Sequence, residues 1–227
     1  MGDIRSLKIP DEVSFRTKPQ IAQAMLEQAW AEGLPMKWVV GDSLSGNSPQ
    51  LRNAIHRQDR YYVLGLGSHH PIQIAASEQS LPLKTLPQHF ASKDWEQLCF
   101  RIGEKGLICY DWQARRIQMP NDEVGEQWLL IQRSLSDSPQ YRFYLSNAPD
   151  DASLLDLVAV ALSRRPIEEL FEEAKSEVGM TDYEVRHWHS WHRHMSLVML
   201  AHTYLKLIQY QQREKKSIAP FLELQPA

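Results

Sequence analysis

Several things are scarce or missing in this chain. No apolar run approaches the roughly 18 residues that a membrane span needs, and the opening "MGDIRSLKIP" has no apolar signal-peptide core. There is no excess of positive charge: 25 Lys and Arg stand against 28 Asp and Glu, a net charge of −3. That balance does not point to a nucleic-acid binder, although a neutral whole can hold a local basic stripe. Only two cysteines occur, Cys99 and Cys109. Their spacing matches no metal or redox motif, so a reduced, intracellular compartment is the simplest reading. Internal repeats and low-complexity tracts are absent. What is present is ordinary for a globular chain of 227 residues. Hydrophobic residues make up 43%, enough to bury a sizeable core.

Along the chain, Thr17 or Lys18 can cap a helix that opens at Pro19 and carries Ile21, Met25, Ala29 and Trp30 as its stripe, with Gly33 as the stop. "MKWVVGD" reads as a buried strand ending at Gly41–Asp42. Ser48 and Pro49 cap a second helix with Leu51 and Ile55 inward, and "RYYVLGL" is a second strand. Strand, helix and strand with short connections imply a parallel pair in an α/β core. Residues 68–94 show no clear period and read as irregular. From about 95 to 148, "QLCFRI", "LICYDWQARRIQM", "EQWLLIQRSL" and "YRFYLSNAP" read as antiparallel strands joined by turns. Helices follow from Asp151, the last running from about Tyr183 to Lys215. The order suggests three segments: 1–67, the first part of an α/β core; 68–150, a β-rich insertion; and 151–227, C-terminal helices that complete the core.

Two sites carry candidate chemistry. In "ALSRRPIEELFEEAK", Ile167, Leu170, Phe171, Ala174 and Val178 claim a core face. Arg164, Glu168, Glu172 and Lys175, separated by four, four and three, fall on another. Glu169 and Glu173 are expected in solvent. Pro166 lacks an N–H and clashes with the carbonyl of Leu162, so the helix kinks or restarts there and Glu168 enters a first turn, where the helix dipole favours a carboxylate. The face is either a solvated row of ion pairs or a carboxylate flanked by two phosphate contacts, Arg164 and Lys175. Asp42 sits at the carboxyl end of a buried strand, where open α/β folds place ligands. It can equally make a local turn to backbone amides.

Taken together, these stretches resemble a family. "FRTKPQIAQAMLEQAWAEGLPMKWVVGDSLSG" looks like the region around the second catalytic aspartate of insertion-sequence DDE transposases. "RRPIEELFEEAKSEVGMTDYEVRHWHSWHRHMSLVMLAH" looks like their C-terminal catalytic segment. Arg164, Glu168 and Lys175 match the last three positions of the YREK signature, Y-x2-R-x3-E-x6-K. The resemblance implies an incomplete RNase H-like core, α/β in class, with an inserted antiparallel β region and C-terminal helices. It implies Mg²⁺- or Mn²⁺-dependent phosphoryl transfer in DNA transposition, with Asp42 and Glu168 as catalytic carboxylates and metal ligands. It further implies DNA contacts from Arg164, Lys175, Arg193 and His194, and a base-stacking role for Trp112. The expected partners are transposon-end DNA and either a second copy or a full-length transposase subunit, with no membrane. The expected location is the bacterial cytoplasm, at the nucleoid.

The chain also departs from the family. The first aspartate belongs on a strand several tens of residues before Asp42, whereas only 41 residues precede it here, and Asp3 and Asp11 are poor substitutes. Ala161 stands in place of the signature tyrosine, and Ser45 where an aromatic residue usually follows. The expectation is a transposase segment that is inactive alone, or a non-catalytic DNA-binding or transposase-partner protein. A sheet without its first strands exposes an unpaired edge, which favours self-association. In "HWHSWHRH" only His189 and His192 share a metal-binding spacing, so a helix start that packs or faces DNA is preferred to a zinc site.

Overall fold

The computed structural model describes residues 7–73, 80–103, 106–119 and 121–222. It divides into two units: residues 16–164, and the segment up to Phe15 with everything from Arg165 onward.

In the first unit, α1 (Lys18–Ala31) opens on a capping box. The Thr17 hydroxyl accepts from the Gln20 amide, and the Gln20 side chain accepts from the Thr17 amide at 2.8 Å. The strand β1 (Trp38–Gly41) leads into a one-turn helix, α2 (Ser43–Gly46). Next comes α3 (Pro49–Arg57), capped by Ser48, and then β2 (Tyr61–Leu66). β1 and β2 pair in parallel, Trp38 opposite Tyr61, as strand–helix–strand connectivity requires. The described residues within 68–94 are more ordered than their sequence suggests. They hold two short strands, β3 (Pro71–Gln73) and β4 (Ser80–Pro82), and two stretches of 3₁₀ helix, Leu83–His89 and Ser92–Asp94.

The long antiparallel strands follow: β5 (Glu96–Gly103), β6 (Gly106–Gln118), β7 (Glu126–Arg133) and β8 (Tyr141–Ser146). They do not form a sheet of their own. β8 pairs antiparallel with β2, Val63 opposite Ser146, so the described strands join one mixed sheet in the order β1-β2-β8-β7-β6-β3-β4, with β5 on β6. β1 is an end strand of that order among the described residues.

Alternation along the strands separates two cores. Tyr62, Leu64, Leu129, Ile131 and Leu145 face Leu51 and Ile55 of α3, with Ala22, Leu26 and Trp30 of α1 beside them. Val63, Trp112 and Leu130 face Leu157, Val158 and Ala161 of α4 (Leu154–Leu162). The sheet is thus covered by α1 and α3 on one face and α4 on the other. This mixed α/β arrangement is consistent with a partial RNase H-like fold. The inner stripe of α1 differs from expectation. Ala22, Leu26 and Trp30 turn inward, four residues apart, which leaves Ile21 and Met25 39% and 65% exposed.

The cysteines also differ from expectation. Cys99 and Cys109 are direct cross-strand partners in the β5–β6 ladder and form a disulfide, with Cα atoms 4.1 Å apart. A hairpin register can bring residues ten apart face to face, which spacing rules for metal and redox motifs do not capture. Because disulfides belong to oxidising surroundings, this pair does not support the reading of a reduced compartment. No helix of the described residues is long and apolar enough to cross a membrane.

In the second unit, α5 (Arg165–Ser176) packs with α6 (Trp188–Leu222). Between α4 and α5 the chain makes a two-residue turn at Ser163–Arg164. Pro166 explains the break, since it can sit in a first turn but not in a helix interior.

Candidate functional site

The strand β1 ends at Gly41, and Asp42 then caps α2. One carboxylate oxygen, Oδ1, accepts from the Ser45 amide at 3.1 Å and the Ser45 hydroxyl at 3.2 Å. The side chain is exposed. Both sequence readings of Asp42 therefore have a counterpart. It makes the local turn, and it presents a carboxylate at the carboxyl end of a strand flanked by a parallel neighbour, where α/β folds place ligands. Ser45, where the family usually has an aromatic residue, supplies both of these hydrogen bonds.

The turn lies flush on β2. A Cβ at Gly46 would meet the Gly65 carbonyl oxygen at 1.8 Å, and one at Gly65 would meet the Ser43 nitrogen at 3.0 Å. Only glycine permits that approach. The turn is also clamped from behind by Arg52, whose Nη1 donates to the Gly46 carbonyl. Arg52 Nε and Nη2 donate to the two oxygens of Asp122 at 2.8 and 2.5 Å, and both side chains are completely buried. Gln127 donates to Asp122 at 2.7 Å and accepts from the Tyr62 hydroxyl at 2.5 Å. Burial, and next the nearby Asp122 charge, push the Tyr62 hydroxyl well above its ordinary pKa. Burial and then Arg52 hold His70 below the usual histidine value. This network ties the Asp42 turn to the β6–β7 loop. Sequence reasoning missed it, because a buried arginine beside the Leu51–Ile55 stripe has no periodic signature of its own.

The second candidate is Glu168, in the first turn of α5 as Pro166 predicts, with Lys175 in the last turn. Glu168, Phe171, Glu172, Lys175 and Ser176 line an open hollow of about 560 Å³. Arg164 lies outside α5, in the turn before it, so it does not continue the helical row expected for the four residues. Its charge acts on Tyr144, whose hydroxyl burial pushes up. The expected core face of α5 is only partly a core. Ala174 is fully buried, but Ile167 and Phe171 are 49% and 46% exposed. Glu173, expected in solvent, instead bridges to α6. Its carboxylate lies 2.6 Å from Lys206 Nζ and 3.1 Å from His202 Nε2. The Lys206 bond first, then His202, holds its pKa below the usual carboxylate range.

Other expected site residues divide. Arg193 is exposed on α6. His194 is half-buried, its Nε2–H donating to the Gly179 carbonyl at 3.1 Å while its ring lies 5.7 Å from Tyr183, so it braces the start of α6 against the end of α5. Trp112 is a correction. It is completely buried and stacked on Tyr144 at 5.9 Å. A ring with no exposed face cannot take a base, so Trp112 is a core residue. Arg115 and Arg116 are not an open basic patch either. Arg115 lies 3.9 Å from Asp94, and Arg116 lies 2.8 Å from Asp150 with its guanidinium over Trp128. In "QQREKK" the side chains from Arg213 on lie outside the described residues, as does Asp3. His192 sits against Trp188 and Trp191, at 4.3 and 5.0 Å, in an aromatic packing role. Ala161 is a buried contact in the core under α4, a position with no open face for the signature tyrosine.

Among the described residues no group of three or more His, Cys, Asp or Glu side chains could hold a metal ion. A comparison with curated proteins finds no match. A family model described as DDE superfamily endonuclease does match, over residues 4–88. That segment holds α1, β1, the Asp42 turn, α3 and β2, the elements that build and clamp the first candidate site. Residues 4–88 are thus similar to a DDE superfamily endonuclease domain.

Proposed function

We propose that this chain is a segment of a DNA transposase of the insertion-sequence type. It binds DNA and carries two of the carboxylates, Asp42 and Glu168, of a phosphoryl-transfer site. The observation that carries the reading is the family match over residues 4–88 with an exposed aspartate at the carboxyl end of β1 inside it. Asp42 Oδ1 is engaged with Ser45, and the carboxylate stays at the surface, where it offers oxygen to a hard divalent ion. Mg²⁺ or Mn²⁺ bound there would supply charge stabilisation of the attacking and leaving oxygens. In this reading the chain by itself supplies only those two of the three carboxylates and does not cut DNA. The same observation favours a second reading, a non-catalytic DNA-binding or transposase-partner protein. Either role requires access to chromosomal DNA.

Lys175 and Arg193, both exposed, are the proposed phosphate contacts, with Arg164 as a third cation near the start of α5. Anisotropy of a labelled duplex titrated against salt tests this. Binding is expected to weaken linearly on a log–log plot. Lys175→Ala and Arg193→Ala are each expected to lower the slope by about one counterion. Absence of binding at ~50 mM salt would remove the DNA reading altogether.

A further inference from the structure

The β5–β6 hairpin is held differently at its two ends. Where β5 begins, Trp95 lies against Phe90, Tyr141 and the Arg133 guanidinium, at 6.0, 6.3 and 4.2 Å. Toward the hairpin turn the ladder is interrupted. Its register shifts between Cys99 and Arg101, which leaves Phe100 without a ladder partner. The Cys99–Cys109 bond sits at that break, with Cα atoms 4.1 Å apart. Among the described residues β5 pairs with β6 alone, so its other edge is open. A covalent bond thus secures the strand where its hydrogen bonding is weakest.

The two sulfurs are not equivalent. Leu98 and Phe100 pack into the core under α4. Cys99, between them, turns to the opposite face and is exposed. Cys109 is half-buried on β6, the strand that joins the hairpin to β7. Asp111 lies two residues along from Cys109, and Arg133 at 2.6 Å offsets its charge. An anionic thiol approaching Cys99 therefore meets no uncompensated charge from that carboxylate.

We propose that the Cys99–Cys109 bond is a thiol-exchange site, at which a small thiol of the glutathione class attacks Cys99 and unlatches the outer end of β5. The thiolate forms a bond to Cys99 Sγ as the Cys99–Cys109 bond breaks. The electron pair leaves on Cys109 Sγ, which takes a proton from water. A second thiolate attacks the small-molecule sulfur of the mixed disulfide, which releases Cys99 and a small-molecule disulfide. Two thiols are oxidised and one protein disulfide is reduced. The mixed disulfide on Cys99 is a reversible modification. Oxidation closes the latch again, so the hairpin reports the thiol poise of its surroundings. The inference is independent of the proposed function.

Mass spectrometry and hydrogen exchange of the full chain test it, with glutathione as the probe. Purified without reductant, the chain is expected to carry no free thiol. Millimolar glutathione is expected to open the bond with an unchanged far-UV circular dichroism spectrum. In acid-quenched samples trypsin separates the two cysteines at Arg101 and Lys105, and glutathione is expected on the Cys99 peptide. Reduction is expected to speed amide exchange of Arg101–Gly103 about tenfold and to leave β7 and β8 unchanged. With glutathione disulfide, Cys109→Ser is expected to be modified about tenfold faster than Cys99→Ser, because access governs exchange. The wild-type map carries the same assignment if either variant misfolds. Two free thiols in the purified chain would overturn the inference. So would a bond that opens only in denaturant, glutathione appearing first on Cys109, or β5 exchange that reduction does not change.

Discussion

Arg52→Met is expected to lower the stability of the unit spanning residues 16–164 by about 3–5 kcal/mol. The Arg52–Asp122 pair has no exposed side-chain surface. Removing the guanidinium leaves the Asp122 carboxylate buried beside the Gln127 donor, and the Gly46 carbonyl without the Nη1 bond. A buried ion pair is itself weak evidence for stability, because desolvation offsets its attraction, whereas a half-broken pair is strongly destabilising. The discriminating comparison is therefore with Arg52→Met/Asp122→Leu, which removes both charges and is expected to recover most of the loss. Urea unfolding of the three proteins checks this. A single-variant loss under about 1 kcal/mol, the scale of an exposed pair, would contradict a buried, mutually dependent network. The consequence reaches the candidate site, since the same arginine holds the turn that presents Asp42.

Trp112→Ala is expected to cost about 3–5 kcal/mol as well, through lost burial and the cavity left among Val63, Leu130, Leu157 and Val158. The indole N–H has no partner among the described residues, so Trp112→Phe loses volume but none of the described hydrogen bonds and is expected to cost less than half as much. Neither change is expected to alter DNA affinity per folded molecule, because the ring has no face to offer. Thermal denaturation and duplex anisotropy on the same samples separate the two effects. A Trp112→Ala protein of normal stability and weakened DNA binding would restore the base-stacking role.

Local signals in the sequence were dependable where one physical rule dominates. Thr17 and Ser48 cap helices because their oxygens satisfy first-turn amides, and both do so. The runs around β1, β2, β6, β7 and β8 are strands because β-branched and aromatic residues alternate there. Pro166 placed Glu168 in a first turn. What escaped was non-local. The Cys99–Cys109 bond depends on hairpin register, and the union of β8 with β2 on long-range pairing. Arg52 meets Asp122 across 70 positions of chain. The inner stripe of α1 was misread because two apolar stripes compete on that helix, and only the sheet beneath decides between Ala22–Leu26–Trp30 and Ile21–Met25. At the candidate site, Asp42 was legible from its place after a strand. The glycine contact and the arginine clamp that hold its turn were not, since both belong to the folded backbone.

The central proposal is that this chain acts as a DDE transposase-like, DNA-binding segment whose carboxylate site is incomplete. Incubation of the purified chain with supercoiled plasmid and Mg²⁺ or Mn²⁺ tests it most directly, with nicked product and bound complex both resolved on a gel. The account predicts a salt-sensitive complex and no nicking with either ion, the same for wild type and Asp42→Ala. Metal-dependent nicking that disappears in both Asp42→Ala and Glu168→Ala would contradict it, and would mean that this chain assembles a working site by itself.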